Sequence, residues 1–89
     1  MTMQERLQDK LTKAFSPDQL EVIDESEQHR GHGGWREGGE THFRVRMVSS
    51  EFTGQGRVAR QRAVNKCLAE ELATTIHALA MELRAPGEA

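Results

Sequence analysis

His77 is the residue of this chain best placed for chemistry with another molecule, because it separates a run of helical period from a run that alternates. At such a boundary the imidazole leaves the body of a domain, where it can ligate a metal or meet a partner. It can equally cap a helix, since a histidine near a helix C-terminus bonds the last carbonyls and favours the dipole. His29 and His32 lie in the segment Gln28 to Glu40, which holds five glycines. A backbone of that composition lets either ring approach His77 or leaves both in solvent. His42 has the strand parity opposite to Phe43 and reads as a hydrogen-bonding residue on an open sheet face, outside any site. The single cysteine, Cys67, sits beside Leu68 with no Cys-x-x-Cys partner and reads as a small apolar core residue.

A second candidate surface is basic. Arg57, Arg60, Arg62 and Lys66 gather at the start of the second helical run, ahead of Glu70 and Glu71. That order opposes the helix dipole, which favours acids at the N-terminal end. It fits contact with an acidic partner, a carboxylate or phosphate, or simply a solvated basic face. Gly31-His32-Gly33-Gly34 matches the Gly-x-x-Gly clamp of nucleic-acid-binding KH domains, but it lies between two strands rather than between two helices. Gly54-Gln55-Gly56 lacks the lysine of a phosphate loop. No Ser-His-Asp, paired-carboxylate or His-Glu-x-x-His arrangement is visible, so the chain is not expected to be an enzyme.

The elements that must position these residues follow from periodicity. Met3, Leu7, Leu11 and Ala14-Phe15 predict an amphipathic helix stopped by Ser16-Pro17. Leu20 to Glu25 suits a short strand, and residues 28–40 a flexible loop. From Thr41 to Ser49, Phe43, Val45 and Met47 alternate with His42, Arg44 and Arg46, a strand with one polar side. Val64, Leu68, Leu72 and Ile76 form the apolar stripe of one second helix. Ala78 to Arg84 alternates again as a third strand, and Pro86-Gly87 predicts a disordered tail over residues 85–89. The order α-β-β-α-β implies an α+β fold with a three-stranded mixed sheet. Strands one and two are antiparallel, and strands two and three are parallel because a helix crosses between them.

Eighty-nine residues make one small domain, residues 1–89, with a modest core and no room for a deep enclosed site. One cysteine fits a reducing compartment. No apolar run approaches the roughly 18 residues that span a bilayer, so a soluble, monomeric, cytoplasmic chain is the expectation. The formal net charge of −2 disfavours broad attraction to phosphate backbones.

One series of segments is specific as a set. Leu20 to Ser26 followed by His29, Thr41-His42-Phe43, Val48 to Gly54, Arg60 to Asn65 and Ile76-His77-Ala78-Leu79 together resemble the BolA family. The resemblance implies a sheet covered by helices, related to class II KH-like folds. It further implies that His77 is a ligand to a 2Fe-2S cluster, with His29, or His32 as the alternative, as the second ligand from the loop. A monothiol glutaredoxin would be the partner, contributing its cysteine and bound glutathione, and no cluster would be held tightly by the isolated chain. Imidazole is reasonable there, since histidine can replace cysteine on one iron and change its potential. A second role is nucleic-acid binding in transcriptional regulation, which some members of the family are assigned. Here the basic patch Arg57, Arg60, Arg62 and Lys66 would make the contact, and the slightly acidic chain would bind DNA weakly. Arg60-Gln61-Arg62 departs from the family's usual Arg-His-Arg and lacks its titratable group.

Overall fold

The computed structural model describes residues 1–26 and 41–88. Helix α1, Met3–Phe15, opens on a capping box. The Thr2 hydroxyl accepts from the Glu5 N–H at 3.1 Å, and the Glu5 carboxylate accepts from the Thr2 N–H at 3.0 Å. Leu7, Leu11 and Phe15 form its buried stripe. Ser16 ends it in the left-handed region at φ 43°, donating its N–H to the Thr12 carbonyl at 3.0 Å.

Strands β1, Gln19–Asp24, β2, His42–Val48, and β3, Ala78–Arg84, form one sheet in the order β1-β2-β3. β1 and β2 pair antiparallel with Val22 opposite Val45, and β2 and β3 pair parallel with Phe43 opposite Leu79. The expected pairing directions hold. Register fixes the two faces, because a strand's side chains alternate. Val22, Phe43, Val45 and Met47 are buried against the helices, with Leu79, Met81 and Leu83 packed beside them. The other face carries a charge ladder across all three strands. Arg44 pairs with Glu25 at 2.9 Å, while Arg46 pairs with Glu82 at 2.9 Å and with Glu21 at 3.3 Å.

The turn Ser50–Phe52 buries Phe52 against Phe15, with ring centroids 5.3 Å apart, and Gly54 at φ +81° leads the chain onward. The second helical run is not one helix. α2, Arg57–Cys67, and α3, Ala69–Thr74, meet at Leu68, whose backbone leaves helical geometry at φ −105°, ψ 20°. The apolar stripe conceals this break, because the Leu68 N–H still reaches the Val64 carbonyl at 3.0 Å and its carbonyl accepts from Leu72 at 2.9 Å. Ile76 lies beyond α3 and is buried on its own account.

The offset points Glu71 inward, where its side chain is 1% exposed between Arg6 at 2.7 Å and Lys10 at 2.8 Å. Burial pushes its carboxyl up, but hydrogen bonds from Lys10 and Arg6 outweigh that and leave it below the usual range. A depressed folded value adds stability above the unfolded value of about 4.3, and that stability is lost as pH falls through the folded value. Glu71→Gln is therefore expected to cost about 1–3 kcal/mol at pH 7, with Arg6 and Lys10 free to turn to solvent. Urea midpoints compared at pH 7 and pH 3 should show the gap between the two proteins shrinking on acidification; a gap of constant size would refute the assignment.

Residues 85–88 do not form the disordered tail that Pro86-Gly87 suggested. Ala85 is buried, and Gly87 at φ +87° turns the chain so that Glu88 meets Arg60. That fork holds the Glu88 carboxyl down at about 2.

Candidate functional site

The site is built where three chain segments meet at one end of the sheet. Ile76 is buried and anchors the end of α3, so the next residue, His77, is carried out to the surface. The His77 N–H donates to the Thr41 carbonyl at 2.8 Å. Its backbone is thereby fixed to the start of β2 while its ring is exposed.

His42 corrects the sequence reading that set it apart. Its parity is as expected, on the same face as Arg44 and Arg46, yet it is 6% exposed and its ring lies beside His77. The two centroids are 6.3 Å apart and the ring planes differ by 16°. Parity gave the face but not the neighbour, because His77 enters from α3 at the end of the parallel pair. His42 Nδ1 and Thr41 Oγ1 share a hydrogen bond of 2.9 Å, which sets the orientation of the ring.

A buried serine ties this end together. Ser26 Oγ donates to Asp24 Oδ1 at 2.5 Å and accepts from the N–H groups of Thr41 at 3.0 Å and His42 at 3.2 Å. One hydroxyl proton and two lone pairs are thus all used. The clasp joins the last described residue before 27–40 to the first after it, next to His77. His29 and His32 lie outside the described residues. Among the described residues no group of three or more His, Cys, Asp or Glu is arranged to hold a metal ion. What they offer is one exposed imidazole, His77, with the ring of His42 beside it.

The basic cluster disperses. Arg60 points inward with a side chain 11% exposed, donating Nε to the Gln55 carbonyl at 2.9 Å and Nη1 to the Leu83 carbonyl at 3.2 Å. Its guanidinium carbon lies 5.8 Å from the centre of the Phe52 ring. It locks α2 to β3 and to the chain end, which accounts for an arginine at an unfavourable place on the dipole. Arg57, Arg62 and Lys66 are exposed, but at 100° per residue Arg57 falls on the opposite side of α2 from Lys66. Cys67 is half-buried, donates weakly to the Lys10 carbonyl at 3.7 Å, and has its thiol pushed up by burial. It behaves as the packing residue that the sequence implied. No helix among the described residues is long and apolar enough to cross a membrane.

Comparison with known proteins gives a single pattern. The family model described as BolA-like protein matches residues 11–88. A Sinorhizobium protein described only as uncharacterized, in the cobS 5′ region, is 54% identical over 99% of this chain and 96% of its own length. The Escherichia coli DNA-binding transcriptional regulator BolA is 47% identical over 91% of this chain and 73% of its own. Among solved structures, the BolA domain of SufE1 from Arabidopsis thaliana superposes with a TM-score of 0.89 at 39% identity, covering 100% of this chain and 98% of that one.

Proposed function

The chain belongs to the BolA-like family, and from that premise we propose that it is a non-enzymatic adaptor that pairs with a monothiol glutaredoxin and shares a 2Fe-2S cluster with it. The observation that carries the reading is the exposed His77 ring on a backbone pinned to Thr41. Its second support is the Ser26 clasp, which brings both ends of the histidine-bearing segment 27–40 to the same place. The residues fit a shared group better than a resident one. His77 supplies one imidazole, His29, or His32 in its place, supplies the second, and glutaredoxin with glutathione supplies the thiolates. When bound, such a cluster supplies one-electron redox chemistry and transferable iron and sulfide. The chain's own task is to hold His77 at a fixed angle, with His42 parallel behind it, and to bring the loop ligand within reach.

The test is anaerobic reconstitution of the chain with a monothiol glutaredoxin, followed by visible absorption and circular dichroism. A spectrum distinct from that of the glutaredoxin homodimer is expected. His29→Ala should alter the spectrum more than His32→Ala. If neither single variant changes it, the double variant decides between mutual substitution and no loop ligand at all.

A second reading is favoured by one observation, that the Escherichia coli relative is named as DNA-binding. The charge distribution works against it, since Arg44 and Arg46 are neutralised by acids and Arg60 by Glu88. Binding is expected to be weak and steeply salt-dependent. Tight sequence-specific binding at physiological salt, lost when Arg62 and Lys66 are replaced, would put this reading ahead of the adaptor.

A further inference from the structure

β3 is an edge strand, because the sheet order places only β2 beside it. Alternate residues of a strand turn their N–H and C=O to opposite sides. The Arg84 carbonyl accepts from Ser49 at 2.9 Å, next to β2, so Ala78, Ala80, Glu82 and Arg84 pair inward. Leu79, Met81 and Leu83 turn their backbone groups outward. The Leu83 carbonyl is taken by Arg60, and among the described residues no hydrogen-bond partner is found for the outward groups of Leu79 and Met81. The opposite edge is managed differently, for the outward Val22 carbonyl of β1 accepts from Gln4 Nε2 at 2.6 Å.

Alongside this open edge lies a cavity of about 550 Å³ between the start of α2 and β3, with Arg57 and Gln61 on one wall and Met81 and Leu83 on the other. That volume is within the range of ligand sites, roughly 300–1,000 Å³. At its end stands a complete carboxylate seat. Arg60 Nη1 and Nη2 donate to the two oxygens of Glu88 at 2.5 Å and 2.7 Å, and the Ala85 N–H donates to Oε1 at 3.0 Å. The seat is rigid, since Arg60 is held from behind by the Gln55 and Leu83 carbonyls and lies over Phe52. Its occupant is open to solvent on one side: Glu88 is 43% exposed and follows the Pro86-Gly87 turn. Glu82, the other acid on the cavity, is already neutralised by Arg44 and Arg46.

We propose that the outer edge of β3 is a docking site for an extended acidic segment of a partner protein, which adds as a strand beside Leu79 and Met81 and places a side-chain carboxylate in the Arg60 and Ala85 seat that Glu88 fills in the free chain. Strand addition takes affinity from main-chain bonds and specificity from side-chain pockets, and here the pocket selects a carboxylate. Exposed Arg57 on the cavity wall favours a second acid. Glu88 acts as a displaceable stand-in, lowering apparent affinity by the fraction of time it holds the seat. The carboxylate seat at Arg60 and Ala85 lies at the far end of β3 from His77, so its occupancy can be read without a cluster.

The test uses the full chain, labelled with ¹⁵N, and a fluorescein-tagged octapeptide alternating valine with glutamate. The expected result is saturable binding, with amide shifts centred on Leu79, Met81, Leu83 and Ala85, and about tenfold tighter binding to Glu88→Gln. A glutamine-for-glutamate peptide should bind at least about tenfold more weakly, and so should a peptide N-methylated on alternate residues, which keeps its charge but cannot pair. Equal binding of the N-methylated peptide, equal binding to Glu88→Gln and the parent, or no shift at Leu79 and Met81 at millimolar peptide would each overturn the proposal. Arg57→Gln, an exposed change that spares the seat's supports, should weaken the acidic peptide alone; equal weakening of the glutamine peptide would count against it.

Discussion

His77→Ala is expected to abolish the visible circular dichroism of the cluster-bound glutaredoxin heterocomplex while leaving the fold in place. The side chain is exposed, and the bond that fixes the position, from the His77 N–H to the Thr41 carbonyl, belongs to the backbone and survives the change. An exposed substitution of this kind should move stability by less than about 0.5 kcal/mol. Loss of a residue that merely supports a metal ligand costs about 10–100-fold in affinity, so loss of the ligand itself should lie at or beyond the upper end. His77→Cys separates ligation from bulk. It should retain a cluster at a lower potential, since imidazole ligation raises the potential relative to thiolate. A folded His77→Ala variant with the parent spectrum would remove His77 from the site.

The largest effect on stability is expected from Phe52→Ala. Phe52 is 0% exposed, meets Phe15 of α1, and lies under the Arg60 guanidinium that ties α2 to β3. Truncating a buried phenylalanine costs about 3–5 kcal/mol. A domain of this size has about 4–13 kcal/mol in total, so the variant should lose a large part of its urea midpoint or fail to fold. Val58→Ala, on a side chain 59% exposed, is the control and should change the midpoint little. A Phe52→Ala loss near that of Val58→Ala would mean that the turn does not organise the core as the packing indicates.

What was legible in the sequence was what repeats locally. Alternation of Phe43, Val45 and Met47 with His42, Arg44 and Arg46 gave both faces of β2, and β3 runs over the residues that its alternation marked. A helix between two strands implied their parallel pairing, which is observed. The strand ends of β1 and β2 shifted by one residue, a normal margin. What failed to show was contact between distant residues. The break at Leu68 was hidden because the stripe from Val64 to Leu72 continues through it. Burial of Glu71 depends on Arg6 and Lys10 from another helix, and the order of residues 85–88 depends on Arg60. Of the candidate site, His77 was legible from its boundary, whereas the nearness of His42 required the register of β2 against β3.

The Ser26 hydroxyl has a consequence for how such a domain can diversify. Because Ser26 meets Thr41 and His42 directly, the two ends of segment 27–40 are closed on each other by bonds that involve none of its own side chains. Closing a loop whose ends are already held costs little more as it lengthens, about 0.6 kcal/mol per doubling. The segment is thereby an exchangeable cassette. Changes of length and charge between residues 27 and 40 are therefore expected to leave the sheet, and the place of His77 at its end, undisturbed.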